Sequence, residues 1–105
     1  MDKLGKILIA DDEPDILEII SYNLNHAGYE TYTAKDGEDA MRKAKSIRPD
    51  LILLDIMMPE KNGIEACQDL RRMPEFKETM IIFLTALNDE KSEIQGLNIG
   101  ADDYI

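Results

Sequence analysis

Three short runs made almost wholly of aliphatic residues, Lys6-Ile-Leu-Ile-Ala10, Leu51-Ile-Leu-Leu54 and Met80-Ile-Ile-Phe-Leu84, restrict what this chain can become. Each has the length of a strand, and none alternates with polar residues, so each reads as a strand buried on both faces. A sheet covered on both faces needs helices above and below it, and the sequence supplies helical patterns between the runs. From Pro14 to about Ala27, Ile16, Ile20 and Leu24 fall at steps of four on one helix face. Pro14 suits a first turn, and Gly28 suits the position after the last.

Tyr29-Glu-Thr-Tyr-Thr33 alternates and is rich in β-formers, the pattern of a half-exposed edge strand. Asp36-Gly37 turns the chain and caps a second helix with Ala40, Ala44 and Ile47 inward, which Pro49-Asp50 stops. After a turn from Pro59 to Gly63 comes a third helix with Ile64, Cys67 and Leu70 inward, broken at Pro74. Asn88 or Asp89 caps a fourth, with Ile94, Leu97 and Ala101 inward, and Asp103-Tyr-Ile105 starts a fifth strand. The expected fold is α/β, with a parallel sheet and helices on both faces.

The 105 residues suffice for one domain, and no apolar run approaches the roughly 20 residues of a membrane span. The first residues lack the apolar core of a secretory signal, and a single cysteine, Cys67, closes no internal disulfide, so a cytoplasmic setting is expected. Cys67 reads as a buried, inert thiol. With 22 acids against 12 bases, net charge −10, the chain is no direct binder of nucleic acid or anionic membrane. The acids of Asp36 to Asp39 and of Asn88 to Glu93 read as solvated helix starts. His26, near the end of the first helix, reads as a surface residue, and Met58 as packing.

In a parallel sheet, ligands bind beyond the carboxyl ends of the strands. Here the first strand ends in Asp11-Asp12-Glu13, the third in Asp55 and the fourth in Thr85. With the first and third strands as neighbours, about 4.8 Å apart, their carboxylates converge. Such like charges need a cation between them. Oxygen-only ligands, with no histidine or thiolate nearby, suit Mg²⁺, with Mn²⁺ as its substitute. A metal, a hydroxyl and a central carboxylate are also equipment for phosphoryl transfer.

Ile7-Leu-Ile-Ala-Asp-Asp-Glu-Pro14, Leu51-Ile-Leu-Leu-Asp55, Pro59 and Gly63, Leu84-Thr-Ala86 and Gly100-Ala-Asp-Asp-Tyr104 together resemble the receiver domain of bacterial two-component response regulators. The resemblance spans residues 1–105 as a single domain. It implies a flavodoxin-like three-layer fold with sheet order 2-1-3-4-5, and a phosphoacceptor that takes its phosphoryl group from a histidine kinase or a small acyl phosphate. Such a domain catalyses its own phosphorylation and dephosphorylation.

Carried over, Asp55 is the phosphoacceptor, Asp12 a direct metal ligand, Asp11 a ligand through water, and the Met57 carbonyl a further ligand. Thr85 is the switch hydroxyl and Tyr104 the aromatic that follows it. Met57 and Leu87, apolar at positions that tune phosphoryl lifetime, imply slow self-dephosphorylation. Gly100-Ala-Asp-Asp-Tyr104 is similar to receivers that precede winged-helix DNA-binding domains. The family's lysine, proline and last helix would fall after Ile105, and Lys35, Lys61 and Lys91 match no such position. That departure implies a C-terminally incomplete receiver, with an apolar patch favouring a homodimer or domain-swapped oligomer.

The competing reading is a receiver-like interaction module that works without phosphorylation. An aspartyl phosphatase would carry an acid where Met57 stands. A dinucleotide enzyme would carry a glycine-rich loop where Asp11-Asp12-Glu13 stands.

Overall fold

Strand β1 (Lys6–Ala10) is buried along four of its five residues, as its unbroken aliphatic run requires. The computed structural model describes residues 4–84 and 102–104. After β1 come α1 (Pro14–His26), β2 (Glu30–Ala34), α2 (Gly37–Ile47), β3 (Leu51–Asp55), α3 (Gly63–Arg71), a single 3₁₀ turn (Pro74–Phe76), β4 (Met80–Leu84) and β5 (Asp103–Tyr104). The sheet is parallel with order β2-β1-β3-β4-β5. This is the expected flavodoxin-like topology, with β2 at an edge and only its last residue, Ala34, buried.

Because side chains alternate along a strand, β1, β3 and β4 each feed two cores. Leu8 and Ala10 of β1, Ile52 and Leu54 of β3 and Ile81 and Phe83 of β4 pack with Ala40, Met41 and Ala44 of α2 and with Ala66, Cys67 and Leu70 of α3. Ile7, Ile9 and Leu53 form the opposite core under Leu17, Ile20 and Leu24 of α1. The helix therefore packs Leu17, partly buried, against this core where the sequence pattern favoured Ile16. A strict step of four drifts about 40° per turn from the 3.6-residue period, which rotates Ile16 away from the core and toward the carboxyl edge of the sheet.

The caps follow local chemistry. Pro14 opens α1, the Asp36 side chain accepts from the Asp39 amide at 2.8 Å, and Arg48 at φ 56° ends α2. Asn62 and Glu65 make a reciprocal capping box on α3, with bonds of 2.9 and 3.1 Å. His26 is exposed and stacks on Tyr22, with ring centroids 5.9 Å apart. The inferred fourth helix, with Asn88, Asp89, Ile94, Leu97 and Ala101, lies outside the described residues.

The acids at the start of α2 need a correction. Glu38 is exposed, but Asp39 is 7% exposed and ion-paired to Arg42 and Lys43, and it accepts from the Lys35 amide at 3.2 Å. Folding the β2–α2 loop over the helix start covers this carboxylate. Its basic neighbours lie one turn on in the same helix, where the sequence offers them for pairing. The Lys35 amide, the first bond to act against its burial, helps hold its carboxyl below the usual carboxylate range.

Leu54 is fully buried at the centre of the larger core. Leu54→Ala should destabilise the fold by about 2–5 kcal/mol, read as a lower midpoint in urea with an unchanged slope.

Candidate functional site

The register of the central strands builds the site. Ala10 of β1 pairs with Leu54 of β3, so the next residues, Asp11 and Asp55, stand side by side at the carboxyl edge of the sheet. The Asp11 amide donates to the Ala34 carbonyl at 3.0 Å, holding the turn after β1 against the end of β2. Asp11, Asp12 and Asp55 each present one carboxylate oxygen, and the three oxygens lie within 4.8 Å of one another. Among the described residues this is the one grouping of acids, histidines or cysteines close enough to hold a metal ion.

The three carboxylates differ in setting. Asp11 is 6% exposed, and its Oδ1 accepts from the Glu13 amide at 2.9 Å. Asp12 is exposed and Asp55 partly so, accepting from the Met57 amide at 3.3 Å. Burial is the main reason that the Asp55 carboxyl is pushed up to about 7, with the charges of Asp11 and Asp12 adding to it and the Met57 amide opposing. Asp11 is also raised, first by burial and then by Asp12, against the pull of the Glu13 amide. These carboxylates face an open cleft of about 390 Å³, lined by Asp11, Glu13, Ile16, Ile20, Asp55, Met57 and Leu84. Hard oxygen donors on both sides of a gap, short of positive charge, suit a divalent cation of small radius.

One wall comes from the loop between β3 and α3. Met58 is buried and packs into the larger core, whereas the Met57 side chain is 68% exposed at the rim of the cleft. Glu60 takes a left-handed conformation, φ 66°, and Lys61 pairs with Asp69 of α3 and, at 3.7 Å, with Glu38 of α2. Gly63 returns the chain to β3, its amide donating to the Ile56 carbonyl at 3.0 Å. A Cβ at Gly63 would lie 2.2 Å from the Asp55 carbonyl oxygen, so no other residue fits there without moving the loop.

The profile of the response regulator receiver domain matches residues 7–105. The chain belongs to that family. It is 46% identical over 100 residues to the alkaline phosphatase synthesis transcriptional regulatory protein PhoP of Bacillus subtilis (strain 168). That alignment takes in 95% of this chain and 41% of the relative, so the chain spans well under half the relative's length. A putative response regulator from Chloroflexus aurantiacus J-10-fl superposes with a TM-score of 0.93 at 34% identity, over 98% of this chain and 84% of that one. The chemotaxis response regulator CheY4 of Vibrio cholerae gives 0.91 at 34% identity, over 97% and 85%. The signal receiver domain of a signal transduction histidine kinase from Syntrophus aciditrophicus gives 0.88 at 38%, over 96% and 76%.

Within this receiver fold, the expected residues Asp11, Asp12 and Asp55 come together, with the Met57 backbone beside them. Tyr104 lies in β5, paired with Phe83, and its side chain is outside the described residues, as are Thr85, Leu87 and Lys91. Ile16 and Leu84, which line the cleft, were legible only as core. The rotation of α1 described above brings Ile16 to the rim, and Leu84 stands there because it ends β4 beside Asp55. No helix among the described residues is long and apolar enough to cross a membrane.

A carboxyl raised in the folded state binds a proton that the unfolded chain releases near pH 4. In chelating buffer the fold should therefore lose stability as pH rises from about 4 to about 7, through Asp55. Asp55→Asn should be more stable than wild type at pH 7.5 by on the order of 1–2 kcal/mol, discounted for partial exposure, and equal to it below pH 4. Urea midpoints at the two pH values test this.

Proposed function

We propose that this chain is a phosphoacceptor receiver of two-component signalling, taking a phosphoryl group on Asp55 from a histidine kinase with Mg²⁺ bound at the acidic cluster. The observation that carries the reading is the convergence of Asp11, Asp12 and Asp55 oxygens within 4.8 Å at the edge of a receiver fold. Asp12, exposed, and Asp55 are direct ligands together with the Met57 carbonyl. Asp11, whose Oδ1 is engaged by the Glu13 amide, acts through water. Mn²⁺ suits the same oxygen donors. When bound, the metal neutralises charge on the cluster and on the phosphoryl oxygens.

Asp55 then does the chemistry. A carboxylate oxygen forms a bond to phosphorus, the bond from phosphorus to the donor's histidine nitrogen or acyl oxygen breaks, and the leaving group keeps the electron pair. The apolar rim, Ile16, Ile20, Met57 and Leu84, limits access of an attacking water, so the phosphoryl group should persist. Thr85 and Tyr104 fill the switch roles in this proposal. Thr85 turning toward the phosphoryl group pulls its loop and lets the Tyr104 ring move inward.

The Bacillus relative is a transcriptional regulatory protein, which supports a DNA-binding output domain in the parent of this chain. Self-association belongs to the same reading, because Leu51, Ile82 and Leu84 are only partly buried on the α1 face. Size-exclusion chromatography tests it, and a monomer before and after phosphorylation would remove it.

Acetyl phosphate should label the chain only when Mg²⁺ is present, adding one phosphoryl group by intact mass, and Asp55→Ala should abolish the label. An unlabelled wild type that binds Mg²⁺ normally would instead favour an interaction module that works without phosphorylation. Met57→Asn should shorten the phosphoryl half-life by about ten-fold, as a polar side chain at the rim admits and orients water.

A further inference from the structure

The first residue of α2 lies against the loop that follows the phosphoacceptor. A Cβ added to Gly37 would stand 1.9 Å from the Lys61 carbonyl oxygen, 2.6 Å from its carbonyl carbon and 2.7 Å from its Cβ. Real Cβ atoms essentially never come within 3.0 Å of such atoms. The nearest of these neighbours are backbone, so the clash cannot be relieved by turning a side chain. Either α2 or the β3–α3 loop must retreat by about 1 Å.

The loop has little slack to absorb that movement. Two residues beyond Lys61, Gly63 is seated on the Asp55 carbonyl, with its own Cβ position 2.2 Å from that oxygen. Its amide holds the Ile56 carbonyl at 3.0 Å, Met58 is fixed in the core, and the Asn62–Glu65 capping box locks the start of α3. On the outside, the Lys61 ammonium ties the loop to Asp69 of α3 and Glu38 of α2. A push at Lys61 therefore passes through Asn62 and Gly63 to the backbone of Asp55 and Ile56.

We infer that Gly37 is a positioning residue for the acidic site: the missing side chain at the start of α2 sets where the β3–α3 loop, and with it Asp55 and the Met57 carbonyl, can lie. Lys61 is the clamp that holds the loop in that seat. The inference rests on the metal-binding phosphoacceptor reading given above, and it makes α2, which supplies no ligand, a determinant of the site.

The test compares full-length Gly37→Ala with wild type and with Ala44→Gly, a core change on the same helix that leaves the Lys61 contact intact. Each is studied at a temperature where circular dichroism shows it fully folded. Calorimetric titration with Mg²⁺ should give about ten-fold weaker binding for Gly37→Ala, the scale of a change in the groups that orient metal ligands. Labelling by acetyl phosphate at saturating Mg²⁺ should slow as well. In metal-free samples the amide resonances of residues 55–63 should shift in Gly37→Ala and stay in place in Ala44→Gly.

Should Gly37→Ala fail to fold, Lys61→Met carries the test. It should weaken Mg²⁺ binding several-fold, with Lys61→Arg restoring it. Mg²⁺ affinity within two-fold of wild type in folded Gly37→Ala, or in Lys61→Met when that variant stands in, overturns the inference alone. A wild type that neither binds Mg²⁺ nor accepts a phosphoryl group overturns the functional reading and this inference together.

Discussion

Pairing of β1 with β3 is the constraint on which the other features of the molecule depend. The register that sets Ile7 beside Leu51 and Ala10 beside Leu54 serves two ends at once. It closes both cores, because alternate residues of the same strands face α1 or face α2 and α3. It also makes the first residues beyond the shared apolar stretch two aspartates on adjacent strands. A slip of one residue would exchange the faces of a whole strand and separate the carboxylates in the same step. Packing and site therefore cannot be optimised independently.

That arrangement works against the carboxylates. Burial comes first and mutual repulsion second in pushing Asp55 far above an ordinary carboxylate. Among the described residues, the Met57 amide opposes that rise at Asp55, and the Glu13 amide does the same for Asp11. The apolar contacts beneath hold the acids in a geometry that they would not adopt alone. This is the pattern expected where a site is preformed for a ligand that brings the missing charge, with rigid strands below and shaped loops above. Among the described residues, Lys61 is committed to Asp69 and Glu38, and Lys43 and Arg42 to Asp39.

Much of this could be read from the chain itself, for identifiable reasons. Strands buried on both faces leave unbroken aliphatic runs, so β1, β3 and β4 stood out, and the acids that end two of them located the site. Asp36 and Pro14 announced their helices through cap chemistry that acts locally. What escaped was non-local. Leu17 takes the place of Ile16 against the core because the helix period is fractional. Asp39 is buried because a loop folds over it, which composition cannot reveal. Gly37 looked like a turn former, and only its approach to Lys61, 24 positions away, shows a steric reason for it. Thr85 rests on the family resemblance, since its position lies outside the described residues.

Cys67 sits in the larger core with no exposed surface, and burial pushes its thiol up to about 11. At neutral pH almost none of it is thiolate, so alkylating reagents and disulfides should pass it by. The chain also has no tryptophan. A cysteine placed on the protein's surface would thus be the only reactive sulfur, and a tryptophan placed beside the cleft the only indole. The natural background is silent enough for a single optical or spin label to follow loop motion without removing any native residue.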